Sequence, residues 1–277
     1  MSNFENYTQT SESYDKTRVP FGVEVILGWF AQGSTPLDQL VVLDAGCGTG
    51  NYSQALLDYV GRIEAVDLNT EMLAMASAKL ATARETGRVT FNRAAIDALP
   101  FEDATFDGIM VNQVLHHLPD SDAAGYPAYH RVLREFSRVL RAGGALVINI
   151  CSHEQLARGF WPYTLIPEAT ENMRKRHIPI DDLATVLEDC AFSYRGRFVP
   201  LDAVIQGEAY FDPRGPLSKQ WRDGDSIWAM ATETELEQAL ARVRQLDALD
   251  ELNDFVARYD AHRKNVGQVT FVFATRR

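Results

Sequence analysis

The sequence has few cysteines, an excess of acidic over basic side chains, and no long apolar run. Its three cysteines, Cys47, Cys151 and Cys190, lie far apart, which favours neither a disulfide framework nor a metal site built on paired cysteines. The longest apolar stretch, Val19–Ala31, contains Glu24 and is shorter than the ~20 residues of a membrane-spanning helix. We therefore expect a cytoplasmic protein with no metal and no membrane segment.

Positive charge is also scarce. The 277 residues include 27 Lys and Arg against 38 Asp and Glu, for a formal net charge of -11. Proteins that hold a phosphate backbone by charge need clustered Lys and Arg. The one basic stripe, Arg131 to Arg141, follows a single helical face and is accompanied by Glu135. A nucleic-acid partner is disfavoured, and the length fits one large domain, or one domain with a lid.

The first half of the chain alternates strand and helix patterns. The predicted strands are Val41–Asp44, Ile63–Asp67, a third from Val89, Phe106–Val111 and Ala145–Ile150. Such alternation predicts an α/β fold with a parallel sheet and right-handed crossovers. In these sheets a ligand binds at the carboxyl ends of the strands, where the strand order reverses.

The clearest motif is the glycine-rich turn from Asp44 to Gly50, which joins the first strand to a helix. Its G-x-G-x-G spacing differs from the G-x-G-x-x-G of dinucleotide sites, and no Lys-Ser/Thr pair follows it as in a phosphate-binding loop. A carboxylate before the turn repels phosphate and favours a cation or an amino group.

Five segments in the right order then resemble class I S-adenosylmethionine (SAM)-dependent methyltransferases, of the small-molecule type grouped with the ubiquinone/menaquinone C-methyltransferases. They are Val42–Gly50, Asp67, the segment around Asp97, Phe106–Leu118, and Glu135 with Arg138–Gly144. The resemblance covers roughly residues 40 to 150. It implies a doubly wound, mostly parallel, seven-stranded Rossmann-like sheet with an inserted helical and aromatic lid. It also implies SAM as cofactor and methyl transfer to a small organic acceptor by in-line displacement.

The resemblance assigns cofactor binding to particular side chains. They are Asp44, Gly46, Cys47, Gly48, Gly50, Asp67, Leu68, Asp97, Ala98 and Gln113, with Tyr14 and Arg18 in the leading segment. Asp67 corresponds to the acid that accepts hydrogen bonds from both ribose hydroxyls, and Asp97 to the acid that reads the adenine amino group. Tyr14 and Arg18 correspond to residues that close over the methionine end of the cofactor.

The same resemblance places the loop after the fourth strand beside the transfer point. His117 is the first candidate for a general base, ahead of His153 and Glu154. His116 is its neighbour, so on a helix or turn the two rings point ~100° apart. We assign His116 to the substrate instead, together with Trp161 and Tyr163 of the aromatic-rich second half.

The predicted organisation has four parts. Residues 1–35 form an N-terminal cap segment and 36–150 the SAM-binding core. Residues 151–266 form a substrate lid, which includes a helix and strand at about 181–199 that complete the core. Residues 267–277 form the last strand, which the resemblance pairs antiparallel with Phe192–Val199.

Two other functions stay open. A nicotinamide-dependent oxidoreductase would use a similar sheet, but the glycine spacing disfavours it. A non-catalytic SAM-binding protein, with a regulatory or assembly role, would share every cofactor residue. The expected partner is a small-molecule substrate, with no nucleic acid and no membrane, and a homodimer is one assembly that the sequence allows.

Overall fold

A computed structural model describes residues 19–118 and 124–277 of the chain. The predicted cofactor residues Tyr14 and Arg18 lie outside the described residues. Within those two ranges, every helix is too short or too polar to cross a lipid bilayer.

A seven-stranded sheet forms the centre of the fold, in the order β3-β2-β1-β4-β5-β7-β6. Its strands are β1 (Val41–Ala45), β2 (Arg62–Asp67), β3 (Val89–Arg93), β4 (Phe106–Asn112), β5 (Leu140–Ile150), β6 (Phe192–Phe198) and β7 (Thr270–Arg276). The first five strands run parallel, and β7 pairs antiparallel with both β5 and β6. The predicted mostly parallel sheet and its antiparallel pair are therefore confirmed. The strand order reverses between β1 and β4, which opens a crevice at their carboxyl ends.

The described residues also form twelve α-helices. They are α1 (Val23–Phe30), α2 (Asn51–Leu56), α3 (Thr70–Lys79), α4 (Ala81–Glu85), α5 (Pro127–Val139), α6 (His153–Arg158), α7 (Pro167–Arg174), α8 (Ile180–Asp189), α9 (Lys219–Asp223), α10 (Glu233–Ala248), α11 (Leu252–Asp260) and α12 (Arg263–Val266). Short 3-10 turns lie at Leu37–Gln39, Leu115–His117, Trp161–Leu165, Gly207–Phe211, Gly215–Leu217 and Trp228–Met230.

Both faces of the sheet are covered, which explains the unbroken apolar runs of the central strands. Val42 and Leu43 are adjacent in β1 and both fully buried, yet they belong to different core clusters. Val42 shares its cluster with Ile26 and Phe30 of α1. Because side chains alternate along a strand, Asp44 lies on the face that α1 covers.

The structure divides one helix that the sequence predicts. The pattern from Glu71 to about Glu85 predicts a single helix capped by Asn69 or Thr70, whereas α3 ends at Lys79 and α4 starts after Leu80. Of the two candidate caps, Asn69 is the one used: its Oδ1 accepts the Met72 N–H at 2.9 Å. The sequence therefore predicts the start of the helix from its capping residue. It does not predict the break at Leu80, because no proline or glycine lies there.

Two segments beyond β5, residues 153–175 and 200–266, pack together, and we call them the lid. Their shared core is aromatic and includes Trp161, Tyr210 and Trp221. Trp161 is fully buried: its indole N–H donates to the Tyr210 carbonyl at 3.0 Å, and its backbone N–H donates to the Tyr210 hydroxyl at 3.2 Å.

One buried carboxylate also joins the two lid segments. Glu235 of α10 accepts the backbone N–H of Glu168 at 2.7 Å and that of Ala169 at 3.2 Å, at the start of α7. The first N–H groups of a helix have no partner within it, and the positive end of the helix dipole favours a carboxylate there.

Replacing Glu235 with alanine should therefore loosen the lid. We expect a loss of about 2 kcal/mol in the free energy of unfolding, because hydrogen bonds to a charged group are lost and two buried N–H groups become unpaired. Urea denaturation measures this. Glu237→Ala, an exposed change on the same helix, is the control, and equal midpoints for the two variants would contradict this role of Glu235.

Candidate active site

The glycine loop between β1 and α2 has the left-handed backbone that its sequence predicts. Gly46, Gly48 and Gly50 have φ of 80°, 52° and 80°. A Cβ on Gly46 would lie 2.5 Å from Val114 Cγ2, so that residue is held by packing. A Cβ on Gly48 would meet nothing within 4 Å. Gly48 thus exposes its backbone to open space, in a cradle that a larger residue would begin to fill.

That space is a cleft at the carboxyl ends of β1 and β4, with about 560 Å³ of free volume, part of it open to solvent. Its lining residues are Val19, Pro20, Phe21, Asp44, Gly46, Cys47, Gly48, Thr49, Asn51, Tyr52, Asn112, Gln113 and Ile205. Among the predicted cofactor residues, the cleft brings together Asp44, Gly46, Cys47, Gly48 and Gln113.

Asp44 forms part of the cleft floor and is nearly inaccessible to solvent. The Ser53 hydroxyl donates to its Oδ2 at 2.7 Å. Burial raises the pKa of Asp44 to about 7, and the nearby Asp67 acts in the same direction while the Ser53 hydrogen bond opposes the shift. A cation bound beside Asp44 would reverse this shift, since an opposite charge favours the ionised carboxylate.

Asp67 lies at the end of β2, behind the glycine loop. Its Oδ2 accepts the Gly48 N–H and its Oδ1 accepts the Asn69 N–H, both at 2.9 Å. A carboxylate oxygen can accept two hydrogen bonds, so both oxygens retain capacity for a vicinal diol. Leu68, the next residue, is 39% exposed, and the two residues fit the predicted ribose position.

Asp97 and Ala98 lie on the exposed turn after β3, where Ala98 N–H donates to the Ala95 carbonyl at 3.1 Å. Asp97 forms an ion pair of 3.5 Å with Arg131, and both side chains are substantially exposed. An exposed ion pair contributes little to stability. The adenine role of Asp97 stays a prediction.

Gln113 follows β4 in a strained conformation, with φ of 54°. Three hydrogen bonds fix it: its backbone N–H donates to the Asn149 carbonyl at 2.9 Å, its Nε2 to Asn149 Oδ1 at 2.9 Å, and the Cys151 thiol donates to its Oε1 at 3.6 Å. Left-handed non-glycine residues of this kind concentrate at functional sites, where surrounding contacts hold them.

Asn149 and Tyr52 were missed by the sequence analysis. Asn149 is 1% exposed, and its Nδ2 donates to the Tyr52 hydroxyl at 3.2 Å, which in turn donates to the Phe21 carbonyl at 3.2 Å. The only signal was a polar residue at the end of an apolar strand. These hydrogen bonds connect the β4 end to the segment that enters α1.

Apolar side chains form the roof of the cleft. Phe21 packs edge-on against Tyr52 and Phe271, with both ring centroids at 6.3 Å. Ile205 approaches from the lid, where its backbone N–H donates to Gln268 Oε1 at 2.8 Å. The leading segment and the lid thus meet above the glycine loop, and Arg18 directly precedes the lining residue Val19.

The predicted histidines lie in the 3-10 turn just after Gln113. His116 is buried and stacks on His177, with ring centroids 4.9 Å apart and planes within 9°. Burial lowers the pKa of His177 to about 4, so its ring is neutral near pH 7. His117 lies 4.0 Å from His116 between ring centroids. Neither His116 nor His117 lines the cleft, so their substrate and base roles stay predictions.

The two predicted substrate aromatics lie in the lid core. Trp161 has both N–H groups bonded to Tyr210. Tyr163 is 7% exposed, and its hydroxyl donates to Asp225 Oδ2 at 2.9 Å. Their rings are not part of the cleft wall, so the structure gives their assignment to the substrate no geometric support. Within the described residues, no group of three or more His, Cys, Asp or Glu side chains is arranged to hold a metal ion.

Comparison with known proteins agrees with this geometry. Residues 43–148 match the family described as methyltransferase domain. The chain is 30% identical over 172 residues to the ubiquinone/menaquinone biosynthesis C-methyltransferase of Escherichia coli, a match over 54% of this chain and 65% of that protein. The chain thus spans less than two thirds of that relative.

Solved structures share the fold over almost the whole chain. A protein described as a methyltransferase from an antibiotic biosynthesis pathway of Anabaena variabilis has a TM-score of 0.73 at 21% identity, covering 94% of this chain and 99% of that one. Geranyl diphosphate C-methyltransferase of Streptomyces coelicolor, solved with Mg²⁺, geranyl diphosphate and S-adenosylhomocysteine, has a TM-score of 0.55 at 13% identity, covering 92% and 78%.

The fold is therefore the Rossmann-like methyltransferase fold. Residues 43–148 match the methyltransferase domain family, and the predicted Rossmann-like methyltransferase fold is confirmed.

The exposed backbone at Gly48 generates a prediction about ligand binding. Gly48→Ala adds a Cβ in the open cradle, so we expect SAM to bind at least tenfold more weakly in isothermal titration. Gly87→Ala is the matched control, because Gly87 also has positive φ (72°) and open space around its Cβ position. Each variant should lose about 1–2 kcal/mol from the left-handed alanine. Equal SAM affinities for the two variants would exclude Gly48 from the site.

Proposed function

We propose that this protein transfers the methyl group of SAM to a small organic acceptor. The observation that carries the proposal is the cleft over Gly48, which joins an exposed glycine backbone to a buried carboxylate at the methyltransferase switch point. SAM when bound supplies an activated methyl group on a sulfonium. The work left to the chain is to position the reactants and exclude water.

Each proposed cofactor residue contacts the part of SAM that its position in the fold allows. Asp67 accepts the ribose hydroxyls, and Asp97 binds the adenine amino group. Asp44 provides negative charge near the cationic end of the cofactor, and Arg18 pairs with its carboxylate. Support for the last role is the adjacency of Arg18 to Val19, which lines the cleft.

The acceptor enters under an apolar roof. Phe21 and Ile205 line the cleft above the loop, which suits an acceptor that is largely apolar around the methylated atom. His117, in the turn after β4, is the proposed base for an acceptor that must lose a proton. The name of the Escherichia coli relative makes carbon acceptors the first to test.

Turnover tests the proposal directly. The protein is incubated with SAM and a panel of phenolic, quinol, isoprenoid and amine acceptors, and release of S-adenosylhomocysteine is followed by mass spectrometry. We expect release with at least one acceptor, and a higher thermal midpoint with SAM but not with NAD. SAM binding without release across the panel would favour the non-catalytic binding protein. Stabilisation by NAD alone would favour the oxidoreductase.

The raised pKa of Asp44 predicts how binding depends on pH. Below about pH 7 the free protein holds Asp44 protonated, and a cationic ligand favours the ionised form. Binding should therefore release a proton, and SAM affinity should rise up to tenfold per unit between about pH 5.5 and 7. Titration calorimetry in buffers of different ionisation enthalpy measures both effects.

Asp44→Asn should remove this rise of SAM affinity with pH. Any pH dependence that remains in the variant comes from titration of the ligand itself. Asp97→Asn, on the exposed turn, should weaken binding and keep the slope. A wild-type affinity that is flat over this range would contradict the placement of Asp44 beside the cation.

We further propose a cytoplasmic location, a homodimer, no nucleic-acid partner and the four-part division of the chain given above. We also propose substrate roles for His116, Trp161 and Tyr163. Tyr14 is proposed to close over the cofactor with Arg18.

A further inference from the structure

The lid reaches the cleft through one side chain, that of Ile205. Among the described residues of the lid, Ile205 alone lines the cleft. Its backbone N–H donates to Gln268 Oε1 at 2.8 Å, and this hydrogen bond is buried. Ile205 lies outside residues 43–148, the segment that matches the methyltransferase domain, so this contact belongs to the part of the chain that the shared domain does not cover.

Gln268 joins the two segments of the lid. Its side chain is fully buried just before β7, and its Nε2 donates to the Gly159 carbonyl at 3.2 Å. Gly159 lies in the first lid segment and Ile205 in the second. One carboxamide therefore binds a backbone group of each segment. Removing it would leave a buried N–H and a buried carbonyl without this partner, which is unfavourable.

The backbone after Ile205 lies against the segment that enters α1. Gly207 has φ of 54°, and a Cβ on Gly207 would lie 3.5 Å from Val19 Cγ2, which is ordinary van der Waals contact. Val19 and Phe21 line the cleft together with Ile205. The width of the apolar roof therefore depends on where the backbone of Ile205 is held.

We propose that Ile205 limits the size of the apolar group that the acceptor carries beside its methylated atom, and that Gln268 is a positioning residue for Ile205. The proposed cofactor occupies the glycine loop and the strand ends, so the acceptor is left with the apolar roof. In a hydrophobic pocket one methylene group changes binding by about tenfold or more. The inference rests on the proposed transfer to a small acceptor, and it names the residues that select that acceptor by size.

Phenols of different chain length test the size limit. Phenol, 4-ethylphenol and 4-butylphenol are titrated by NMR into the protein saturated with S-adenosylhomocysteine. We expect the wild type to bind 4-butylphenol at least about tenfold more weakly than 4-ethylphenol, because Ile205 blocks the longer chain. Ile205→Ala should remove this difference, and its affinity for S-adenosylhomocysteine should stay close to that of the wild type.

Gln268→Met tests the positioning role, since it keeps the length of the side chain and removes the carboxamide. It should speed hydrogen exchange of the Ile205 amide and reduce the preference for 4-ethylphenol. Combined with Ile205→Ala, it should cause no further change in preference, because both changes act through one contact. Gln268→Glu keeps an oxygen for the Ile205 N–H and, when protonated, a donor for the Gly159 carbonyl, so it should retain the preference.

Gln206→Met is the matched control for Gln268→Met. Gln206 is also buried and is adjacent to Ile205, but its Nε2 has no hydrogen-bond partner among the described residues. Amide exchange of Ile205 and the preference for 4-ethylphenol should therefore remain those of the wild type.

Different results would overturn different parts of the inference. Equal binding of 4-ethylphenol and 4-butylphenol by the wild type, or binding of none of the phenols, would exclude the size limit and leave the proposed function intact. Wild-type exchange of the Ile205 amide in Gln268→Met, or an effect of Gln268→Met that persists in Ile205→Ala, would exclude the role of Gln268. A wild-type protein that does not bind S-adenosylhomocysteine would overturn the proposed function and this inference with it.

Discussion

The hydrogen bonds of Asn149 are the constraint on which the site depends. This one buried amide holds Gln113 at the end of β4 and Tyr52 of α2, and through Tyr52 it reaches the carbonyl of Phe21. The floor, one wall and the roof of the cleft are therefore connected through a side chain that no ligand needs to touch. Buried polar networks that are fully satisfied rigidify their surroundings. The left-handed backbone of Gln113 persists because this network over-determines it.

The lid is held together mainly by aromatic packing and by hydrogen bonds between two segments of the chain. Its two segments are far apart in sequence and are joined by aromatic packing, by the hydrogen bonds between Trp161 and Tyr210, and by Glu235 at the start of α7. Its tryptophans, Trp161, Trp221 and Trp228, are buried, and among the lid residues Ile205 alone lines the cleft. The lid thus presents a narrow edge to the cleft at Ile205, so the proposed acceptor would contact that edge and the segment near Phe21.

Much of the core was predictable because its determinants are local. Apolar runs bounded by glycines defined the five parallel strands, and the positive φ of Gly46, Gly48 and Gly50 follows from the residue type. The position of the site followed from topology. By contrast, Asn112, Tyr52 and Ile205 could not be assigned from local sequence, because their role depends on which strands and loops become neighbours. Asn149 shows only that a polar residue lies near the end of an apolar strand. Trp161 is a different case. The number of aromatic residues indicated a packed lid, but it did not determine whether the Trp161 ring faces the lid core or the cleft.

Three features of the cleft oppose the stability of the ligand-free protein, and they lie within one small region. Asp44 is a buried carboxyl group near Asp67, Gln113 is held in a strained conformation, and the Asn112 carboxamide has no hydrogen-bond partner among the described residues. Local conflicts of this kind are expected where a chain meets a ligand. A cationic ligand beside Asp44 would offset the burial of its carboxyl group, because an opposite charge favours the ionised form. The proposed cofactor carries such a charge on its sulfonium, so the cleft and this cofactor are best understood as one electrostatic unit.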